Sequence, residues 1–489
     1  MLRVIYFKLP ILVLTALCIY LLVVVVPYPI YTISAIILLS VGLLAGFINY
    51  KQILLILFLV LPFSIEKPLG LGDSKIILPS ELVLIILAVA FIVRFLFFSG
   101  LKRTFFVHPI TVLILFYGIV MVTTSLTSSM LVVSLKFTSI NLLYILVYYF
   151  LINIYINDNG NTSTLYYFYG ISVFFVIVYT LVNHARFGFS KGAANVSVPF
   201  YSDHAIYSAC LAMLFPAFFA FVFRGKKLRL SVLAKALSFL VLIAISVGLV
   251  FSYSRAAWIS LAVSAFFFFG LLIRIKPVYL MLVILVVGIV VSFNRNSIID
   301  SWKLNKYSST SQNPTMEEET KSITNISNDV SNAERLNRWS CAYRMFLEQP
   351  YTGYGPGTYQ FQYLKYQRPS EMTRISVMTA YNNPPGKGGS AHSEYLLALS
   401  ESGIFGFIGV LGIVLFSVYY GMRAYYRSKS ETDKIMVAVA LLSVITYSTH
   451  VVFNNYLNID KTASLFWMSI CIIATFDSKN KQTLDIHAT

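Results

Sequence analysis

Hydrophobic runs long enough to cross ~30 Å of hydrocarbon recur along the whole chain, and they restrict its fold before any motif is read. Fourteen are visible. The first seven are 9–26, 30–48, 52–65, 79–98, 108–126, 131–153 and 164–183. The others are 204–223, 231–252, 255–273, 277–293, 402–422, 434–452 and 460–476. The 52–65 run is short enough to be a re-entrant piece, so the expected count is about 12–14. Inside a bilayer each backbone N–H and C=O must be satisfied by the chain itself, and runs of this length do so as helices. Composition agrees, with 58% hydrophobic and 12% charged residues against about 25% charged in soluble domains. The chain is expected to be an all-α, polytopic helical membrane bundle with one large, partly helical external loop.

Basic residues orient the bundle. With the N-terminus on the cytoplasmic side, the cytoplasmic connections hold Arg3, Lys8, Lys51, Lys102 and Arg103. Later ones hold Arg224, Lys226, Lys227, Arg229, Arg274, Lys276, Arg423, Arg427, Lys429 and Lys434. The opposite short loops hold only Lys67, Lys75, Arg186, Lys191 and Lys461. Both termini are then expected in the cytoplasm and residues 294–401 outside. The +17 net charge is largely this topology signal, so no nucleic-acid partner is expected. Residues 9–26 read as a retained first helix, because Pro27-Tyr28-Pro29 offers no small-x-small cleavage site. The expected organisation is a transmembrane bundle over 1–293, the external loop over 294–401, and closing spans with a short tail over 402–489.

The loop divides by composition. Residues 303–334 are rich in Ser, Thr, Asn and Glu and are expected to be mobile or locally helical. Across Ala333–Glu348, Leu336, Trp339, Tyr343 and Phe346/Leu347 recur at three- and four-residue spacing. That predicts an amphipathic helix with Asn332 as N-cap, lying on the membrane surface or over a cavity. The Gly353–Gly357 turns and the Pro384–Gly389 run fit either a lid that moves to admit substrate or an ordinary surface loop.

Several polar groups fall near the outer face. Arg255 sits between two apolar runs; it reads as a snorkelling arginine or as a guanidinium fork for phosphate. Arg335 and Arg338 read as solvated helix charges or as anion ligands. Lys136 lies about a turn inside its span and either snorkels or lines a polar cavity. Asp203 before His204 reads as a helix cap, with acid–base or substrate-binding work as the other reading. His450 and Asn454-Asn455 read as helix-terminal polar groups. The cysteines at 18, 210, 341 and 471 form no metal knuckle or disulfide framework, and no His/carboxylate pair has ligand spacing on one helix. No metal is expected. His392 stands where polar loop meets apolar helix, and an imidazole with pKa ~6.5 can take a proton near neutral pH.

His392-Ser393, nine residues, then Gly403-x-x-Gly406 resembles the His-[Asn/Ser/Gln]-x9-Gly-x-x-Gly signature of the bacterial O-antigen ligase and polymerase superfamily. Arg335 and Trp339 resemble its Arg-x-x-x-Trp pattern, followed by Pro350 and Gly353-x-Gly355-x-Gly357. Ser254-Arg255-Ala256-Ala257 resembles its Ser-Arg-[Gly/Ala]-Ala span start. The motifs cover roughly residues 200–420. Two departures stand out: Ala256 replaces the more usual glycine, and Phe407-Ile408 follow Gly406 where many ligases carry threonines.

The resemblance implies a membrane glycosyltransferase of the GT-C-like type in the bacterial inner membrane, with its large loop periplasmic. Its donor would be a polyprenyl (undecaprenyl) diphosphate-linked glycan and its acceptor a glycan or lipid A core. Membrane lipids and a chain-length regulator protein are further implied partners, and no cofactor is. His392 would be the general base that deprotonates the acceptor hydroxyl, while Arg255 and Arg335 would hold the diphosphate. Lys136, Arg338, Asp203 and His204 are additional candidates. The residues after Gly406 favour a polymerase of surface-polysaccharide repeat units over a ligase. A lipid-linked oligosaccharide flippase, the third reading, would place charges deep in its spans, whereas here they gather at the outer rim.

Overall fold

The structure is a computed structural model. It describes residues 50–68, 75–98, 101–193, 195–279, 330–373, 376 and 389–488, with scattered positions in 40–44 and 282–297. The run at 9–26, and most of 30–48, 277–293, 303–334 and Pro384–Gly389, lie outside the described residues.

The protein is a multi-pass helical bundle. Nine helices among the described residues are long and apolar enough to cross a membrane. They are α2 Ser80–Phe97, α3 Pro109–Leu126, α4 Leu131–Asn157, α5 Thr162–Ala185, α6 His204–Phe223, α7 Val232–Phe251, α8 Arg255–Leu272, α10 Glu394–Arg427 and α11 Glu431–His450. Among the described residues three further helices of more than ten residues are α1 Tyr50–Val60, the polar α9 Val330–Glu348, and α12 Asp460–Ala488, which carries the last apolar run.

Helix ends fall where side chains can satisfy the first N–H groups. Asn161 accepts from Ser163 N, Asp203 from Ala205 N, Ser231 from Ala234 N and Ser430 from Asp433 N. The 52–65 run is the departure. Its helix stops at Val60, passes through a 3₁₀ turn at Leu61–Phe63, and enters an antiparallel hairpin of β1 Ile65–Pro68 with β2 Lys75–Leu78. An eleven-residue helix rises only about 16 Å, half the hydrocarbon thickness.

α11 sits at the centre, packed against α6, α8, α10 and α12. Alternation of direction brings the starts of α6, α8, α10 and α12 and the end of α11 to one end of the bundle. α9 packs on the first part of α10 at that end. Its small core of Cys341, Met345, Tyr359, Tyr363, Ala391 and Leu397 gives the external segment a fold of its own.

Two expectations about this segment are corrected. α9 begins at Val330, so Asn332 lies in its first turn and is not its N-cap. The inward stripe is Glu334, Asn337, Arg338, Cys341 and Met345, whereas Tyr343 and Leu347 are exposed. The apolar spacing pointed to the wrong face because the inner face is polar and satisfied. Arg338 Nε donates to Glu334 Oε1 at 2.8 Å, and Asn337 Nδ2 donates to Ser376 Oγ at 2.9 Å.

α10 likewise starts at Glu394, eight residues before the apolar run, and is broken at Gly403 with φ 63° and ψ −162°. A Cβ there would lie 2.4 Å from Tyr351 O, and one on Gly353 (φ +62°) 2.4 Å from Glu401 O. Both glycines are needed because two backbones touch. Across this contact Ile404 N donates to Pro350 O at 2.9 Å, Tyr354 N to Ser400 O at 3.1 Å and Gly355 N to Glu401 O at 2.8 Å. Gly353–Gly357 is thus bonded to a helix break. Its glycines serve close approach, and of the two sequence readings neither a lid nor a plain surface loop describes it.

Candidate active site

His392 ends the external segment one residue before Ser393, the N-cap position of α10. Its backbone is left-handed, φ 50°, a conformation that costs a non-glycine residue on the order of 1–3 kcal/mol and persists where surroundings over-determine it. Those surroundings come from three directions. Trp339 Nε1 donates to His392 O at 3.1 Å, Arg338 Nη1 donates to Ser390 O at 2.9 Å, and Glu394 N donates to Val451 O and Asn454 O, both at 3.0 Å. The Asn454 side chain, for its part, favours the protonated imidazole.

Electrostatics at the ring favour the neutral form. Burial first, then the positive charges of Arg338 and Arg335, push the imidazole down to about 3, against the smaller opposing effects of Asp203 and Asn454. A ring so held carries a free lone pair at neutral pH, the state a general base needs.

The two diphosphate candidates converge. Arg335 Nη1 lies 3.2 Å from Asn332 Oδ1, and Arg255 Nη2, from the first turn of α8, lies 3.4 Å from the same oxygen. Residues eighty positions apart in sequence therefore present guanidinium groups to one spot, beside a histidine that feels the charge of one of them. Two cations brought to one oxygen make an arrangement able to attract an anion.

The additional candidates separate. Arg338 is committed to structure: it pairs with Glu334, bonds to Ser390 O and lies over the Tyr363 ring at 5.1 Å. Asp203 caps α6 through Ala205 N at 2.8 Å, and its carboxylate lies 2.9 Å from His204 Nδ1. Desolvation would raise the Asp203 carboxyl, but its hydrogen bond and charge interaction with His204 hold it at about 2, so it faces His392 as an anion. Lys136 is exposed on α4, where its charge bears on Glu81. Tyr253 Oη donates to Phe189 O at 2.8 Å and Trp258 Nε1 to Leu249 O at 3.0 Å, tying down the α7–α8 corner.

Sequence reading gave Asn332 and Asn454 only helix-terminal roles and passed over Glu394 and Glu401. Glu401 Oε2 accepts from Gly357 N and Oε1 from Tyr359 N, each at 2.8 Å. Glu394 Oε2 accepts from Tyr456 N at 3.0 Å and Leu457 N at 3.2 Å. The available signal was their position: two carboxylates flanking an apolar stretch need fixed donors.

Residues 239–411 match the family model for O-antigen ligase, a segment that includes Arg255, Arg335, His392, Gly403 and Gly406. That match supports the resemblance to the O-antigen ligase and polymerase superfamily. Comparison with curated proteins gave no match. The matched family supports an activity of the O-antigen ligase and polymerase type in general, and implies a lipid-linked glycan donor and a glycan acceptor. Asp203 and Asn454 fall outside the matched segment, so their bearing on His392 comes from the three-dimensional arrangement alone.

Proposed function

We propose that the protein transfers a glycan from a polyprenyl-diphosphate carrier to a sugar hydroxyl at the outer face of the inner membrane, with inversion and without a metal. The convergence of Arg255 and Arg335 on Asn332 beside a neutral His392 carries this reading. The acceptor hydroxyl gives its proton to the free imidazole nitrogen as its oxygen attacks the anomeric carbon. The bond from that carbon to the diphosphate oxygen breaks on the opposite face, and the electron pair leaves with the lipid diphosphate. Arg255 and Arg335 offset the charge that builds there.

Substrate binding also tunes the base. A diphosphate seated on Arg335 cancels part of the positive field that lowers the His392 imidazole and so raises its basicity when a donor is present. The base strengthens only in the loaded site.

The favoured acceptor is the growing repeat-unit chain, since Phe407-Ile408 occupy the positions where many ligases carry threonines. The match to the O-antigen ligase family favours transfer to lipid A core as the second reading. Purified protein given a lipid-diphosphate oligosaccharide should extend or transfer the glycan in the presence of chelator. His392→Ala should lower turnover about 10²–10⁴-fold while the protein remains folded. Turnover near wild type in that variant, or loss of wild-type turnover on chelation, overturns the mechanism. A ladder on the lipid carrier identifies a polymerase; glycan on lipid A core identifies a ligase.

A further inference from the structure

A groove opens at the end of the bundle away from His392, and no step of the proposed transfer uses it. Its volume is about 850 Å³, within the roughly 300–1,000 Å³ of clefts that take small molecules. We propose that it is a binding site for one anionic glycerophospholipid, with the acyl chains between α6 and α8 and the phosphate at Arg224 and Lys434. The proposal does not depend on the reading of His392.

Helix packing makes the groove. α6 and α8 each pack on α11, which forms the floor, and pack far less on one another. Each helix gives it one face at three- and four-residue spacing. Phe219 and Phe223 come from α6, Ala262 and Ala265 from α8, and Ala438 and Leu442 from α11. The alanines leave the space that the phenylalanines wall in.

Length points to a lipid of one leaflet. Along α6 the lining runs from Phe215 to Arg224, about 14 Å at 1.5 Å per residue, close to half of a ~30 Å hydrocarbon layer. A spanning helix of a second chain needs the whole thickness.

Charge marks the mouth. Arg224 directly follows α6, Lys227 lies in the turn after it, and Glu431 and Lys434 begin α11. Lys227 Nζ pairs with Glu431 Oε2, and Lys434 Nζ stands 5.0 Å from the Tyr425 ring centroid. Asp433, on the same turn, does not line the groove. Among the described lining residues three cations therefore stand against one carboxylate, above walls that are almost wholly apolar. Cations at the rim with hydrocarbon-like lining beneath complement a lipid with a negative head.

The donor lipid fits this place poorly. Its diphosphate would sit at the Leu272 end of α8, whereas Arg255 begins that helix, about 26 Å along its axis. The occupant is then a lipid that is not consumed. Seated between α6 and α8, it holds both on α11, so its binding is readable as thermal stabilisation.

The test uses the full-length protein in detergent, with dioleoyl phosphatidylglycerol as probe. Dioleoyl phosphatidylcholine, the same chains on a head without net charge, is the control. Native mass spectrometry should retain one phosphatidylglycerol per chain under conditions that strip phosphatidylcholine, and phosphatidylglycerol alone should raise the thermal midpoint. A basic residue near an anionic lipid contributes about fivefold in affinity, so Arg224→Gln combined with Lys434→Gln should weaken retention roughly 25-fold. Ala265→Trp keeps the charges and fills the groove, and should abolish retention. Lipid-free thermal midpoints of both variants should stay near wild type, which separates lost binding from lost folding. If Ala265→Trp does not fold, the charge variant decides.

Equal retention of the two lipids by the wild type, or a preference that survives the charge variant, overturns the proposal. A stabilisation reproduced by inorganic phosphate alone makes this an anion site without a lipid. Displacement of phosphatidylglycerol by an equal concentration of polyprenyl diphosphate makes the occupant the carrier lipid. A dimer that Ala265→Trp dissociates makes it a second copy of the chain. Each of these three results removes the phospholipid reading.

Discussion

The two ends of the bundle use cations differently. At the end away from His392, arginines are matched to carboxylates in compact locks. Arg423 Nε lies 2.9 Å from Asp477 Oδ1, and the same carboxylate reaches His108 Nε2 at 3.2 Å, joining α3, α10 and α12. Arg94 Nη2 lies 2.7 Å from Asp158 Oδ2, which also accepts from Tyr50 Oη at 2.6 Å. At the His392 end Arg338 is matched in the same way to Glu334, and Arg255 and Arg335, from two different helices, share the Asn332 side-chain oxygen. A charge matched to a carboxylate secures a helix contact. At the His392 end the charges of Arg338 and then Arg335 also bear on the imidazole. The first arrangement suits holding helices and the second suits receiving an anion.

Substitutions at the two ends should therefore fail in different assays. Arg335→Ala or Arg255→Ala should lower kcat about 10²–10³-fold, the usual cost of removing one donor aimed at developing charge, with little change in thermal unfolding. Asp477→Ala leaves Arg423 and His108 without their shared carboxylate. Removing one partner of a buried pair costs on the order of 3–5 kcal/mol, so this variant should unfold at markedly lower temperature while its folded fraction keeps wild-type kcat. Should Arg335→Ala prove as unstable as Asp477→Ala with unaltered kcat, the distinction between the two ends would collapse.

Gly403→Ala should fall between these effects. Its backbone is left-handed, and an added methyl would meet Tyr351 O at 2.4 Å, so the α10 break and the Pro350–Gly355 contact cannot both survive. Left-handed backbone alone costs an L-residue about 1–2 kcal/mol. Activity should drop together with stability, measured as kcat and as thermal midpoint. A variant unchanged in both would show that the break is not needed to set His392.

These cases show what the sequence could convey. Hydropathy located the spans because lipid demands it, and it failed at 52–65 and at the start of α10, where helices begin or end in polar surroundings. His392, Arg335, Arg255, Gly403 and Gly406 were legible as local patterns. Asn332 was legible only as a helix cap, because its partner Arg255 lies 77 positions away. Asn454 was more remote still: a polar residue after a helix end looks the same whether it faces water or the base. Arg338 was misjudged in the other direction, since Glu334 four residues earlier consumes it in a way that charge spacing alone permits but does not require.

The smallest expected effect tests whether the positive field at the His392 end is real. Burial and then Arg338 and Arg335 hold the imidazole at about 3, below its ordinary value near 6.5. The unfolded chain therefore binds a proton that the folded one refuses between those values. The contribution to stability is fully present above about pH 6.5 and is lost as pH falls toward 3. Removing a neighbouring positive charge makes the imidazolium less unfavourable and raises the folded value. Arg338→Gln should thus shift the acid limb of kcat/KM upward, and Asp203→Asn, which removes a negative charge, should shift it downward. The two shifts have opposite signs, whereas general loosening of the fold would move both variants the same way. Equal movement in one direction, read from pH–rate profiles at constant ionic strength, would show that the charges around His392 do not set its protonation and that only its burial does.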